Sequence, residues 1–114
     1  MPPRRESNRK PVKRPTRLTR RADHAFAGLT PLIGRAVVLD TAGPLTYLGI
    51  LKEITPDGFW LETADIRDRS EGHVTKEKYV WEARENGIRP NRRMIFVVAA
   101  VVVSVSALDD VLLD

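Results

Sequence analysis

The side chains able to do chemistry in this sequence are scattered along it. Ser104 and Ser106 alternate with valine in Val103-Ser104-Val105-Ser106-Ala107, and neither has a context that activates a nucleophile. They read as solvent-facing strand positions. Asp65, Asp68, Glu71 and His73 can be drawn together as a hard-cation site, but Arg67 and Arg69 interleave them, and a mixed-charge loop of this kind is usually just hydrated. His24 and His73 stand far apart without metal-ligand spacing, and there is no cysteine for a disulfide or a thiolate site. Glu82 and Glu85 fall on an expected exposed helix, where solvation explains them. No glycine-rich phosphate loop occurs. The expectation is a protein that is not an enzyme, with no cofactor and no metal.

Charge is more informative. Residues 1–21 carry Arg4, Arg5, Arg9, Lys10, Lys13, Arg14, Arg17, Arg20 and Arg21 against Glu6 alone, a net charge of +8. The other 93 residues hold ten basic and fourteen acidic side chains, a net charge of −4. Four prolines and almost no bulky apolar residues leave the segment 1–21 too little to bury, so a disordered basic tail is expected. Its nine cations are the candidate nucleic-acid-binding residues, able to contact phosphate without reading sequence. No apolar stretch follows the charges, as a secretory signal requires, and Arg20-Arg21 leads into Asp23 and His24 rather than an export signal. The absence of cysteine fits a reducing, cytoplasmic setting.

The elements that must position any function start from Gly34 to Thr63, GRAVVLDTAGPLTYLGILKEITPDGFWLET. Three apolar runs are separated by turn signals at Ala42-Gly43-Pro44 and Thr55-Pro56-Asp57-Gly58, which predicts a three-stranded antiparallel meander. The middle run is apolar on both faces, with Tyr47, Gly49 and Leu51 on one side and Leu48 and Ile50 on the other. That pattern predicts a core wrapped by sheet, a small barrel. Gly49, inside the strand, is expected to mark a sharp bend.

Around the meander, Asp23 to Leu29 predicts a short helix, capped by Asp23 and ended by Thr30-Pro31, with Phe26 and Leu29 plugging the core. Asp65 to Arg93 reads as a polar insert that begins with a solvated loop. Within it, Thr75 as N-cap and Gly87 at the C′ position bracket a helix over Lys76–Asn86. The alternation of Glu77, Tyr79 and Trp81 also suits a strand, so 75–86 stays open between the two. Met94 to Leu108 is fifteen residues without a charge, short of the ~20 that a membrane helix needs. It is rich in Val and Ile and predicts two strands with a corner at Ala99-Ala100. It also lacks Lys, Glu and Pro, the residues that guard an exposed sheet edge. Ile95, Val97, Val101 and Val103 are therefore the candidate oligomer interface.

The sequence of Gly34, Val37 and Leu39, then Tyr47, Gly49 and Leu51, resembles the first signature of the Sm/LSm family. The resemblance, to a divergent bacterial-type member, covers about eighty residues. It implies a mainly β fold: a small five-stranded antiparallel SH3-like (Sm-like) barrel over residues 22–114, with an N-terminal helix and an inserted helix between strands three and four. It also implies a homo-oligomer in which strand four of one copy pairs with strand five of the next. In uridine-binding members an Asp, an Asn and an Arg-Gly line the base pocket. The aligned positions here are Thr55, the neighbourhood of Phe59, and Ala99-Ala100, so the polar readers are missing. The expected function is a non-enzymatic Sm-like module associating non-specifically with RNA through its tail, without membrane contact. The competing reading is an oligomeric protein-interaction scaffold with no RNA role.

Overall fold

The computed structural model describes residues 26–72 and 74–112. The basic segment 1–21, Asp23, His24 and His73 lie outside them. The chain is mainly β: β1 (Ala36–Thr41), β2 (Leu45–Thr55), β3 (Gly58–Asp68), α1 (Lys76–Asn86), β4 (Arg92–Val98) and β5 (Val102–Ala107). The strands form one five-stranded antiparallel sheet in the order β4-β3-β2-β1-β5. Among the described residues no pairing joins the end strands β4 and β5, and no closed barrel is identified.

Both expected turns of the meander form. Between β2 and β3 the Thr55 hydroxyl accepts from the backbone N–H of Asp57 (3.2 Å) and Gly58 (3.1 Å), which ties the hairpin. Gly58 is required by packing, because a Cβ there would sit 2.2 Å from the Val97 carbonyl oxygen. The centre of β2 is irregular. Leu48 faces Asp65 while Ile50 faces Glu62, so β3 carries an extra residue opposite Gly49, and Thr63 takes up the strain at φ 53°. A Cβ on Gly49 would lie 3.1 Å from the Cβ atoms of both Leu61 and Ala64. The glycine serves a bulge and a close strand approach.

The apolar residues on the two faces of β2 enter separate cores. On the inner face Val37, Leu39, Leu51, Phe59, Leu61, Ala64 and Val97 form one cluster, closed by Phe26, Leu29 and Leu32. On the outer face Val38 and Leu48 lie beneath Tyr79, Val80 and Ala83 of α1, together with Leu108. The second face of β2 is thus covered by the inserted helix, through Tyr79, Val80 and Ala83.

The segment leading into β1 differs from expectation. No α-helix ends at Thr30-Pro31. A 3-10 helix runs over Ala27–Leu32 with Pro31 inside it. Leu29 N–H donates to the Phe26 carbonyl and Ile33 N–H to that of Thr30, so two short turns are linked with no hydrogen bond asked of the proline nitrogen.

The insert contains the helix rather than the strand. Thr75 Oγ1 accepts from Lys78 N–H at 3.2 Å, and Gly87, at φ 91°, closes the helix by donating to the Ala83 carbonyl at 2.8 Å. The solvated loop begins later than expected, because Asp65 to Asp68 are the end of β3. After α1, Asn91 acts as one more rung of the β3–β4 ladder. Its amide accepts from Ile66 N–H and donates to the Ile66 carbonyl, both at 3.3 Å.

The corner expected at Ala99-Ala100 is a 3-10 turn over Ala99–Val101. Beyond it, Asp40 faces Ser104 while Thr41 faces Val102, leaving Val103 as the unpaired residue of a bulge. Strict alternation along β5 therefore fails. Val102 and Val105 turn towards the inner core and Val103 is thrown outward, 66% exposed. No described helix is long and apolar enough to cross a membrane.

Candidate functional site

The four candidate interface residues divide between core and surface. Val97 is an inner-core residue, and Ile95 is half-buried against the same cluster. Val101 and Val103 are exposed, as are Met94 and Val98 on β4. β4 and β5 are the two ends of the sheet, so these side chains stand beside its two open edges. Between β5 and the 3-10 helix at Ala27–Leu32 runs a groove of about 440 Å³ of mixed polarity, lined by Phe26, Leu29, Phe59, Val102, Ser104 and Val105 among others.

The aromatics of β3 point in opposite directions. Phe59 is buried, edge-on to Phe26 with ring centroids 5.3 Å apart. Trp60 lies on the outer face, tilted against Phe96 of β4 at 5.0 Å. This half-buried pair packs into neither core. Glu53 faces Trp60 from β2, and Glu62 follows it on the same face of β3. Lys52 lies 3.9 Å from Glu62, and both side chains remain substantially exposed. Met94 and Val98 complete the apolar part of the patch.

None of the positions aligned with a base pocket presents a reader. The Thr55 hydroxyl is held in its hairpin turn, Phe59 is buried, and Ala99 and Ala100 form the 3-10 corner. The carboxylates considered for a cation are also spread out. Asp65 accepts from the Tyr79 hydroxyl across to α1. Asp68 accepts from Ser70 Oγ (2.6 Å) and Ser70 N–H (2.9 Å), which lower its pKa from the ordinary carboxylate value. Among the described residues no three His, Cys, Asp or Glu side chains come together as a metal site.

Sequence reasoning missed a polar cleft of about 370 Å³ between α1 and the sheet. Its floor is Tyr79, whose pKa is raised above the ordinary tyrosine value, first by burial and then by its hydrogen bond to Asp65. The Arg67 guanidinium lies over the Tyr79 ring, 4.7 Å from its centroid. Glu82, Asn86 and Arg89 form the rim. Tyr79, Glu82 and Asn86 are three and four residues apart, a spacing that puts them along one helix face and was visible in the sequence. Their partners on β3 were hidden by the mistaken start of the loop. A separate tie joins three elements at Asp40, which meets Lys76 Nζ at 2.7 Å and accepts from Ser104 Oγ at 3.1 Å.

Neither a protein-family model nor a curated protein matches this sequence.

Proposed function

We propose that this chain is a non-enzymatic assembly module of Sm-like, SH3-type barrel architecture that associates with RNA through residues 1–21. The architectural part is supported by the strand order β4-β3-β2-β1-β5, the irregular second strand at Gly49, and the 3-10 turn between the last two strands. A sheet of this order leaves open edges on its two end strands, and a second copy of the chain can satisfy them.

The observation that carries the assembly reading is the exposed apolar character of both sheet ends. Met94, Val98, Val101 and Val103 are all at least 40% exposed, with no charged residue between Met94 and Leu108 to guard them. Pairing of β4 with β5 of the next copy removes these edges. Native mass measurement tests this. The wild-type chain should be oligomeric, and Val101→Lys with Val103→Lys should give folded monomers. A wild-type chain that stays monomeric at high micromolar concentration overturns the assembly.

The RNA part rests on the charge division. A segment of +8 is attached to a remainder of −4 whose acidic surface repels phosphate. On single-stranded RNA each phosphate neutralised should steepen the fall of log affinity with log salt by about 0.7. Deleting residues 1–21 should abolish RNA binding at low salt. Unchanged binding would favour the second reading, a protein-assembly scaffold, which draws support from the lack of base readers at Thr55, Phe59 and Ala99-Ala100.

A further inference from the structure

The outer face of β3 and β4 combines two features that both suit a cationic partner. Trp60 and Phe96 offer aromatic surface at the half-buried pair described above, and Trp indole is the best ring for a guanidinium to lie on. Beside them Glu53, opposite Trp60, and Glu62, two residues along β3, supply negative charge, with Lys52 3.9 Å from Glu62. No described element occupies this patch, since α1 packs over Val38 and Leu48 instead.

The chain carries a matching segment within reach. The described part begins at Phe26, whose ring touches that of Phe59, the residue next to Trp60 on the other face of the same strand. Arg21 precedes Phe26 by five residues, which extended span up to roughly 17 Å, enough to pass round a single sheet layer. Arg17, Arg20 and Arg21 are therefore the first cations that can arrive at Trp60, and the remaining six follow. Trp81, on α1 with Glu77 and Glu85 four residues to either side, is also half-buried and acidic in its surroundings. Phe26 packs against β3 rather than α1, which favours Trp60.

We propose that the arginine-rich segment 1–21 docks on its own domain at the Trp60–Phe96 patch, held by Glu53 and Glu62, and that RNA must compete with this patch for the segment. The docking stands on geometry and charge alone. The competition rests on the reading of residues 1–21 as the RNA-contacting part. It gives that part a built-in brake: the domain rejects phosphate and restrains the cations that would bind it.

A spin label tests this in the full chain, where the absence of cysteine makes Thr16→Cys a unique attachment point. At low salt the nitroxide should strongly broaden the Trp60 indole N–H signal and the Phe96 amide, and spare the Trp81 indole. Glu53→Lys with Glu62→Lys should remove the broadening, as should salt at about 0.5 M, where screening is strong. Trp60→Ala, which leaves the net charge unchanged, should bind RNA about threefold more tightly at low salt, the gain expected from losing one cation–π contact of the docked segment. No broadening at Trp60, or equal broadening at Trp81, overturns the docking. Broadening that depends on Glu53 and Glu62, with RNA binding unaffected by Trp60→Ala or by deletion of 1–21, leaves the docking standing and overturns the competition and the RNA reading.

Discussion

One face of this sheet is finished in two different ways. Over β1 and β2, Val38 and Leu48 are closed off by Tyr79, Val80 and Ala83 of α1. Over β3 and β4, Trp60 and Phe96 are covered mainly by each other, with Met94 and Val98 open beside them. The inserted helix is long enough for only part of the face. Its caps at Thr75 and Gly87 fix both ends, and the Tyr79–Asp65 hydrogen bond and the Lys76–Asp40 ion pair fix where it lies. The helical half of the face is thus committed to stability, and the aromatic half has no helix over it. A side chain's apolar character does not tell the two apart. What tells them apart is whether a capped helix sits above it.

Truncation should separate the halves most sharply. Leu48→Ala removes a fully buried side chain beneath α1 and should cost about 2–5 kcal/mol in chemical denaturation. A loss below 1 kcal/mol would mean that α1 is not anchored there. Tyr79→Phe should cost roughly 1–2 kcal/mol, because Asp65 loses its donor in a partly desolvated cleft. The same contact predicts an alkaline weakness confined to the covered half. Tyr79 has a folded pKa above its unfolded value near 10, so the stability it contributes is complete below pH 10 and declines as pH rises beyond it. In a Tyr47→Phe variant, where Tyr79 is the remaining tyrosine, phenolate absorbance should lag the ordinary titration and appear together with loss of helical circular dichroism. Titration near pH 10 with the helix intact would show that the contact is weak.

Smaller effects sharpen the comparison. Thr75→Ala removes the N-cap and should cost about 1 kcal/mol, with increased amide exchange limited to the first turn of α1. On the bare half, Met94→Ala should change monomer stability by about 0.5 kcal/mol or less, since the side chain is already 40% exposed. A larger loss would mean that the aromatic half is closed by something in the folded state.

Much of this organisation was legible from the residues. The turn chemistry at Ala42-Gly43-Pro44 and Thr55 to Gly58 marked the meander, and Thr75 and Gly87 marked both ends of α1. The break at Ala99-Ala100 marked the corner between β4 and β5. What escaped was set by the third dimension. Asp65 and Arg67 look like loop residues by polarity, and they continue β3 because α1 supplies Asp65 with the Tyr79 hydroxyl and Arg67 with the Tyr79 ring. Val103 looks inward by alternation until the bulge at Asp40 and Thr41 shifts the register and turns it out. Pro31 looks like a helix terminator, yet a pair of linked 3-10 turns tolerates it. The apolar back of β2 was visible as a pattern, but the pattern is the same whether sheet or helix covers it.

The pairing of β1 with both β2 and β5 has a consequence for the order of events as the chain folds. The β2–β3 hairpin joins two eleven-residue strands across a tight turn, so its contacts are local and form with little loss of chain entropy. The β1–β5 ladder matches Val37 with Ala107 and waits until nearly the whole domain, α1 included, has been gathered between them. Contacts so distant in sequence set the slow step in small β-rich domains. Refolding should therefore be governed by the closing of β5 onto β1, the pairing that completes the sheet.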